Sequence, residues 1–236
     1  MCAYFFCEDC GFLQTEDPYW LADAYTSAIG RADTGIIGRN IRASQILAPL
    51  LMCLFGRDNK YLDIAGGYGI LTRMMRDKGF DYYWSDKYCN NLFADGFEAD
   101  QGESYAAISA FEVLEHVTDP VSFLSTAMQQ GKTRSAVVST VLFEGRPPLP
   151  DSWWYYAFEG GQHISFYQRR TLQVIAKRLG LHCHSHGSIH LFTDRNLNPY
   201  FFRLLTTRLL AYLVSPLQPL LMDSKTMSDH LNLMRR

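Results

Sequence analysis

Three clusters in this sequence have residue types and spacings that could do chemistry. The first is Asp63-Ile64-Ala65-Gly66-Gly67-Tyr68-Gly69. Glycines so close together let a backbone approach a ligand and leave amides free at a helix start. An acid just before the turn suits a cationic ligand group, and Thr72 stands where a dinucleotide fingerprint needs its third glycine. The second is Asp86, 17 residues after Gly69, where a carboxylate can accept hydrogen bonds from a ribose diol. The third is Phe111-Glu112-Val113-Leu114-Glu115-His116-Val117-Thr118-Asp119-Pro120. Its histidine titrates near neutrality and could act as a general base, or could cap the local turn.

A further aromatic stretch, Trp153-Trp154-Tyr155-Tyr156, precedes Gly161-Gln162-His163-Ile164-Ser165-Phe166-Tyr167. Together they could wall an acceptor, with His163 as a second base, or pack a lid onto the fold. Cys7 and Cys10 form a lone C-x-x-C with Cys2 upstream; zinc wants four ligands and no fourth is in sight, so no metal is expected. His182, His184 and His186 share one strand face, beside Cys183 and His190, and read as an exposed edge strand.

These clusters need elements to hold them. Apolar spacing predicts a helix over 39–55 that Pro49 should kink or restart, a strand at 61–65 and a helix over 70–78. Strands follow at 82–84 and 106–111. Asp119-Pro120 opens a helix with a capping side chain and a proline at its first position. A strand at 136–143, a loop over 144–158, a helix over 170–179 stopped by Gly180 and a closing strand pair at 181–186 and 188–192 complete the pattern. Alternating strands and helices make a mostly parallel, doubly wound sheet, whose ligands sit at the carboxyl ends of the strands. The clusters all fall there.

Length and composition agree. The chain has 236 residues, 47% apolar and 19% charged, which excludes disorder and suits one enlarged domain. Its net charge of −2 does not favour a nucleic-acid partner. Six cysteines are too sparse for a disulfide framework, and the start lacks the basic region of a signal peptide, so a cytoplasmic location is expected. Between Phe201 and Met222 the uncharged run, Leu209 to Met222, is 14 residues, short of the ~20 that span a bilayer. A buried or interfacial helix is expected there, with no transmembrane segment.

The order D-I-A-G-G-Y-G, S-D, F-E-V-L-E-H-V-T-D-P and H-I-S-F-Y, over residues 39–192, resembles class I S-adenosylmethionine-dependent methyltransferases, in particular the branch of the ubiquinone-pathway and sugar methyltransferases. The resemblance implies an α/β, Rossmann-like seven-stranded sheet, mostly parallel, with helices on both faces and an antiparallel strand pair at its C-terminal end. It divides the chain into an N-terminal arm (1–38), a methyltransferase domain (39–196) with an acceptor loop (144–168), and a helical extension (197–236). Asp63 and the backbone of Ala65, Gly66, Gly67 and Gly69 would hold the methionine end of S-adenosylmethionine. Asp86 would take the ribose hydroxyls and Lys87 would lie beside the adenine. Gly96, Phe97 and Glu98 would flank that ring, and Phe111 and Glu112 would floor the cleft. The family has glycine where this chain has Ala65, whose methyl is tolerated at negative φ.

The resemblance further implies transfer to a small polar acceptor, a hydroxyl on a sugar or related metabolite, leaving S-adenosylhomocysteine. The acceptor would enter between Tyr25, Asp33 and Arg39 and the loop from Trp153 to Tyr167, against Glu115, Trp153, Trp154 and Gln162; His116 or His163 would take the proton. Acidic residues near Glu115 help bind a divalent metal in related enzymes; none is expected here. Competing readings are a non-catalytic cofactor-binding module and an NAD(P)-dependent oxidoreductase, the latter disfavoured by Thr72 and Asp63. The hydrophobic stretch from Asn198 to Leu221 offers a face for a second copy or a partner enzyme.

Overall fold

The computed structural model describes residues 2–21, 33–158, 160–214 and 218–235. Its strands are β1 (Tyr4–Phe6), β2 (Leu13–Thr15), β3 (Lys60–Ile64), β4 (Asp81–Ser85), β5 (Ala107–Ala110), β6 (Ala136–Ser139), β7 (Ser165–Phe166), β8 (His182–His186) and β9 (Ile189–Thr193). The helices are α1 (Ile36–Phe55), α2 (Ile70–Asp77), α3 (Pro120–Gln130), α4 (Arg169–Leu179), α5 (Pro199–Leu205), α6 (Arg208–Val214), α7 (Gln218–Leu221) and α8 (Thr226–Leu233).

Six strands form the main sheet in the order β4-β3-β5-β6-β9-β8. The first four run parallel, and β9 and β8 close the sheet antiparallel. Every residue of β5 and β6 is buried, as expected of strands covered on both faces. On one face Leu47, Leu50, Tyr61, Met75 and Leu191 pack together; on the other, Leu62, Ile108, Leu124, Leu172 and Phe192. Truncating one of these to alanine costs about 2–5 kcal/mol.

Among the described residues the main sheet has no seventh strand. Residues 97–99 meet β4 only through one bridge, Trp84 to Glu98, where the Trp84 amide donates to the Phe97 carbonyl and the Ala99 amide donates to the Trp84 carbonyl. Gly96 at φ +84° on one side and the Asp100–Gly102 turn on the other leave too few extended residues for a strand. The strand expected at 136–143 stops at Ser139, because Leu142 and Phe143 turn away to pair with Tyr167. One helix runs through Pro49, whose neighbours Leu47, Leu50, Leu51 and Leu54 are all buried.

The N-terminal arm supplies two strands of a second, three-stranded antiparallel sheet, β1-β2-β7. Leu13 lies opposite Phe166, and Leu13, Phe143, Tyr155, Tyr156 and Phe166 share a small core. The single C-terminal helix expected from the sequence is instead the short helices α5, α6 and α7. No helix among the described residues is long and apolar enough to cross a membrane. Beyond them α8 returns to the sheet domain, where Asp229 receives two hydrogen bonds from the buried Arg76, at 2.8 and 2.7 Å.

Candidate active site

The glycine turn follows β3 and starts α2. Ala65, Gly67 and Gly69 all have positive φ, +54°, +55° and +85°. The negative φ at which the Ala65 methyl would be tolerated is not met: the chain turns left-handed there, which is why glycine suits the position and why the methyl is strained. A Cβ on Gly66 would lie 2.8 Å from the Trp84 ring and 3.0 Å from the Asp63 carboxylate, whereas one on Gly67 would meet nothing within 4 Å. The turn is thus pressed against β4 at Gly66 and open at Gly67.

Strand β4 fastens this turn. Trp84 Nε1 donates to the Gly67 carbonyl at 2.8 Å and the Gly67 amide donates to Asp86 at 2.9 Å. Asp86 also accepts the amides of Tyr88 and Cys89, at 2.7 and 2.9 Å. A carboxylate has about four acceptor positions, so one remains for a ligand hydroxyl.

Asp63 is buried, accepting from Ser109 Oγ at 2.5 Å and from Thr72 Oγ1 at 3.5 Å. Burial pushes its carboxyl up to about 7 against the pull of those two hydroxyls. A buried carboxyl so poised gains most from a cation, and an amino-acid ammonium is one. The close approach at Gly66, the open face at Gly67 and this under-compensated carboxyl fit the methionine end of S-adenosylmethionine.

On the adenine side Phe97 is buried beneath the Arg76 guanidinium, 3.7 Å from its ring centre. Its ring is a structural support of the loop. Glu98 is tied to Asn91 Nδ2 at 2.7 Å, and the exposed Lys87 lies 5.4 Å over the Tyr88 ring. Phe111 packs on the core beside β5. Glu112, at φ +56°, exchanges hydrogen bonds with Ser139: its amide donates to Oγ at 2.8 Å, and Oγ donates back to its carboxylate at 2.7 Å. Arg39 lies 3.7 Å from that carboxylate and 2.6 Å from Asp33, joining the start of α1 to the end of β5.

The acceptor side centres on Glu115, His116 and His163. Asp119 caps α3 through the amides of Val121 and Ser122, which holds the 114–118 turn below it. The segment around β7 is laced to that turn: the Ile164 amide donates to the Glu115 carbonyl at 2.8 Å, Ser165 Oγ to the Val117 carbonyl at 2.6 Å, and the Tyr167 hydroxyl to the Leu114 carbonyl at 2.6 Å. This brings the His116 and His163 rings to 4.9 Å, nearly perpendicular. His116 Nδ1 faces the Gln162 carbonyl at 3.0 Å, and His163 Nδ1 faces the Tyr155 carbonyl at 2.6 Å. A carbonyl only accepts, so each Nδ1 carries the proton and each Nε2 keeps its lone pair. Burial lowers both pKa values, which favours the neutral, basic form.

Glu115 is fully buried, neither carboxylate oxygen is within hydrogen-bonding geometry of a partner, and burial, with Glu112 adding to it, pushes the carboxyl up to about 7. Ligand atoms of Glu115, His116 and His163 lie within 4.8 Å of one another, the one group of three among the described residues that could hold a metal ion. Cys2, Cys7 and Cys10 do not form such a group, and the histidines of β8 stand on the sheet edge, His184 and His186 bonded to the Arg195 carbonyl and Thr206.

Other expected acceptor contacts divide. Trp153 packs against Phe143, Tyr155, Tyr156 and Phe166, while Trp154 is exposed. Gln162 enters through its backbone carbonyl, and Tyr25 lies outside the described residues. Sequence reasoning missed Trp84, Ser109 and Ser139, which contact the turn or the cleft floor, and placed Tyr155 in the aromatic wall without its carbonyl's hold on His163.

A parallel sheet with a glycine turn after its first strand and an acid after the next defines a class I S-adenosylmethionine-dependent methyltransferase fold. The sequence matches the methyltransferase domain family over residues 39–186, and the chain belongs to that family. No curated protein matches it. Among solved structures it is similar to an O-methyltransferase family 2 protein from Planctomyces limnophilus DSM 3776 in complex with apigenin, at 16% identity and a TM-score of 0.49, covering 74% of this chain and 65% of that one. It is also similar to TnmH (17% identity, TM-score 0.46, covering 73% and 60%). A third is the S-adenosylhomocysteine-bound methyltransferase of calicheamicin biosynthesis, CalO1 (15%, 0.48, 76% and 60%). The chain thus spans 60–65% of the length of these structures.

Proposed function

We propose that this protein transfers a methyl group from S-adenosylmethionine to a hydroxyl of a small polar acceptor, a sugar or related metabolite. The cofactor supplies an electrophilic methyl on a sulfonium. Asp63 and the open turn at Gly67 hold its amino-acid end and Asp86 its ribose. The acceptor oxygen forms the new bond to the methyl carbon, the carbon–sulfur pair stays on sulfur, and the hydroxyl proton passes to Nε2 of His116 or His163. In-line displacement depends chiefly on proximity and orientation, and the base adds to that. The observation that carries this reading is the meeting of the His116 and His163 rings at 4.9 Å beside the buried Glu115, each ring oriented by a backbone carbonyl at its Nδ1. Arg39, Glu115, Trp153, Trp154, Gln162 and Tyr25 remain its proposed acceptor contacts, on the division 1–38, 39–196 and 197–236. The free cysteines suit a cytoplasmic location.

Calorimetric titration with S-adenosylmethionine, S-adenosylhomocysteine and NAD, followed by mass spectrometry of hydroxylated acceptors incubated with the first, tests this reading. Binding of the first two only, with a 14-dalton gain on an acceptor, is the expected result. Cofactor binding with no turnover on any acceptor, and a stable complex with another enzyme, would favour the non-catalytic module.

The orphaned Glu115 oxygens favour a second element: a divalent cation held by Glu115, His116 and His163, lowering the pKa of the acceptor hydroxyl. Loss of turnover on chelation, restored by magnesium or manganese, distinguishes it from the metal-free base.

A further inference from the structure

Helices α5 and α6 bury Phe202, Leu205 and Ala211 and turn their other faces outward. On α5 the outward residues are Tyr200 (82% exposed), Phe201 and Leu204; on α6 they are Leu209 (69%), Tyr212 (76%) and Leu213. Each set has the 3–4 spacing of one helix face. Each face also carries an exposed arginine, Arg203 on α5 and Arg208 on α6, and neither is ion-paired among the described residues. From Arg195 to Met222 the chain has three arginines and not one acidic residue. The helices touch each other and both pack on α1, so they lie side by side.

We propose that this face docks on an anionic lipid surface, lying in the headgroup region without crossing it. Charge selects this occupant. A second copy laid on the same face would bring arginine towards arginine with no carboxylate between them, whereas lipid phosphates complement both. The side chains agree: tyrosines place an apolar ring and a polar hydroxyl at a membrane–water boundary, and leucine and phenylalanine enter the acyl edge beside the basic groups. Both helices are too short to span a bilayer.

Flotation of the full chain with phosphatidylcholine vesicles, with and without one-third phosphatidylglycerol, tests this. Strong binding to the anionic vesicles, weakened by high salt, is expected, with little binding to the neutral ones. Arg203→Gln combined with Arg208→Gln should weaken binding by about thirtyfold, at ~1 kcal/mol for each arginine near the surface. Leu209→Ser combined with Tyr212→Ser should weaken it comparably. Unchanged S-adenosylhomocysteine affinity and melting temperature would show that both variants are folded. Failure of the folded wild type to float with anionic vesicles overturns the proposal, as does equal, salt-insensitive binding to neutral ones. A dimer in sedimentation velocity that Leu209→Ser and Tyr212→Ser dissolve, without vesicle binding, would assign the face to a second copy.

Discussion

The Asp86 carboxylate accepts the Gly67 amide at 2.9 Å, joining the end of one strand to the turn after its neighbour. One carboxylate thereby shapes the cofactor turn and faces the proposed ribose. Asp86→Ala removes both and should weaken S-adenosylhomocysteine binding by about 10–100-fold, roughly 1.5–3 kcal/mol for charge-assisted hydrogen bonds. Calorimetry reads this directly, and unchanged affinity would refute the ribose assignment.

Asp63 predicts a proton linkage. Burial holds its carboxyl up at about 7, so below that pH it is largely neutral. A bound ammonium would pull the value down and release a proton. Affinity for S-adenosylhomocysteine should therefore rise as pH climbs towards 7 and level off above it. Calorimetry at pH 6 in buffers of different ionisation enthalpy should show proton release, lost in Asp63→Asn. The folding sign is the reverse: the raised carboxyl favours the folded state below the ordinary carboxylate range, and this contribution fades as pH rises through about 7.

Ala65 at φ +54° is strained in a way that glycine is not. Ala65→Gly relieves about 1–2 kcal/mol and gives back about 0.4–1 kcal/mol through the freer unfolded chain. A net gain of about 0.5–1 kcal/mol should appear in urea unfolding, and a net loss would show that the turn bears no strain there.

For the bases, His116→Asn and His163→Asn should each lower kcat by about 10²–10⁴-fold if that ring takes the proton. S-adenosylhomocysteine affinity should hold. If only one substitution has this effect, the other ring is its structural neighbour.

Arg76 and Asp229 are both buried, so Asp229→Ala leaves a guanidinium without its bidentate partner. Asp81, at 3.1 Å, offsets part of the loss. The cost should be about 3 kcal/mol, at the lower end for a broken buried pair, measured by chemical denaturation.

What was legible in the sequence was what neighbours along the chain determine. The glycine turn, Asp63, Asp86, the Asp119 cap and the alternation of strands and helices all declare themselves within a few residues. Ser109, Trp84 and Ser139 did not, because their roles arise only where separate strands and loops meet. Arg76 and Asp229 are 153 positions apart, and no local pattern links them. The small sheet was hidden for another reason: strands of two or three residues carry almost no periodicity. The left-handed backbone at Ala65 was not legible, because residue type alone does not fix the sign of φ.

The small sheet also orders events in time. Gln14 bonds to Ser165, 151 positions later, and β2 has no main-sheet strand to pair with. Strands so short do not hold together alone. At a synthesis rate of about 5–20 residues per second, the first hairpin waits roughly 8–30 seconds on the ribosome for its third strand. The neighbouring elements of the cofactor half can assemble in that interval. The acceptor side closes after them, once both distant segments have emerged.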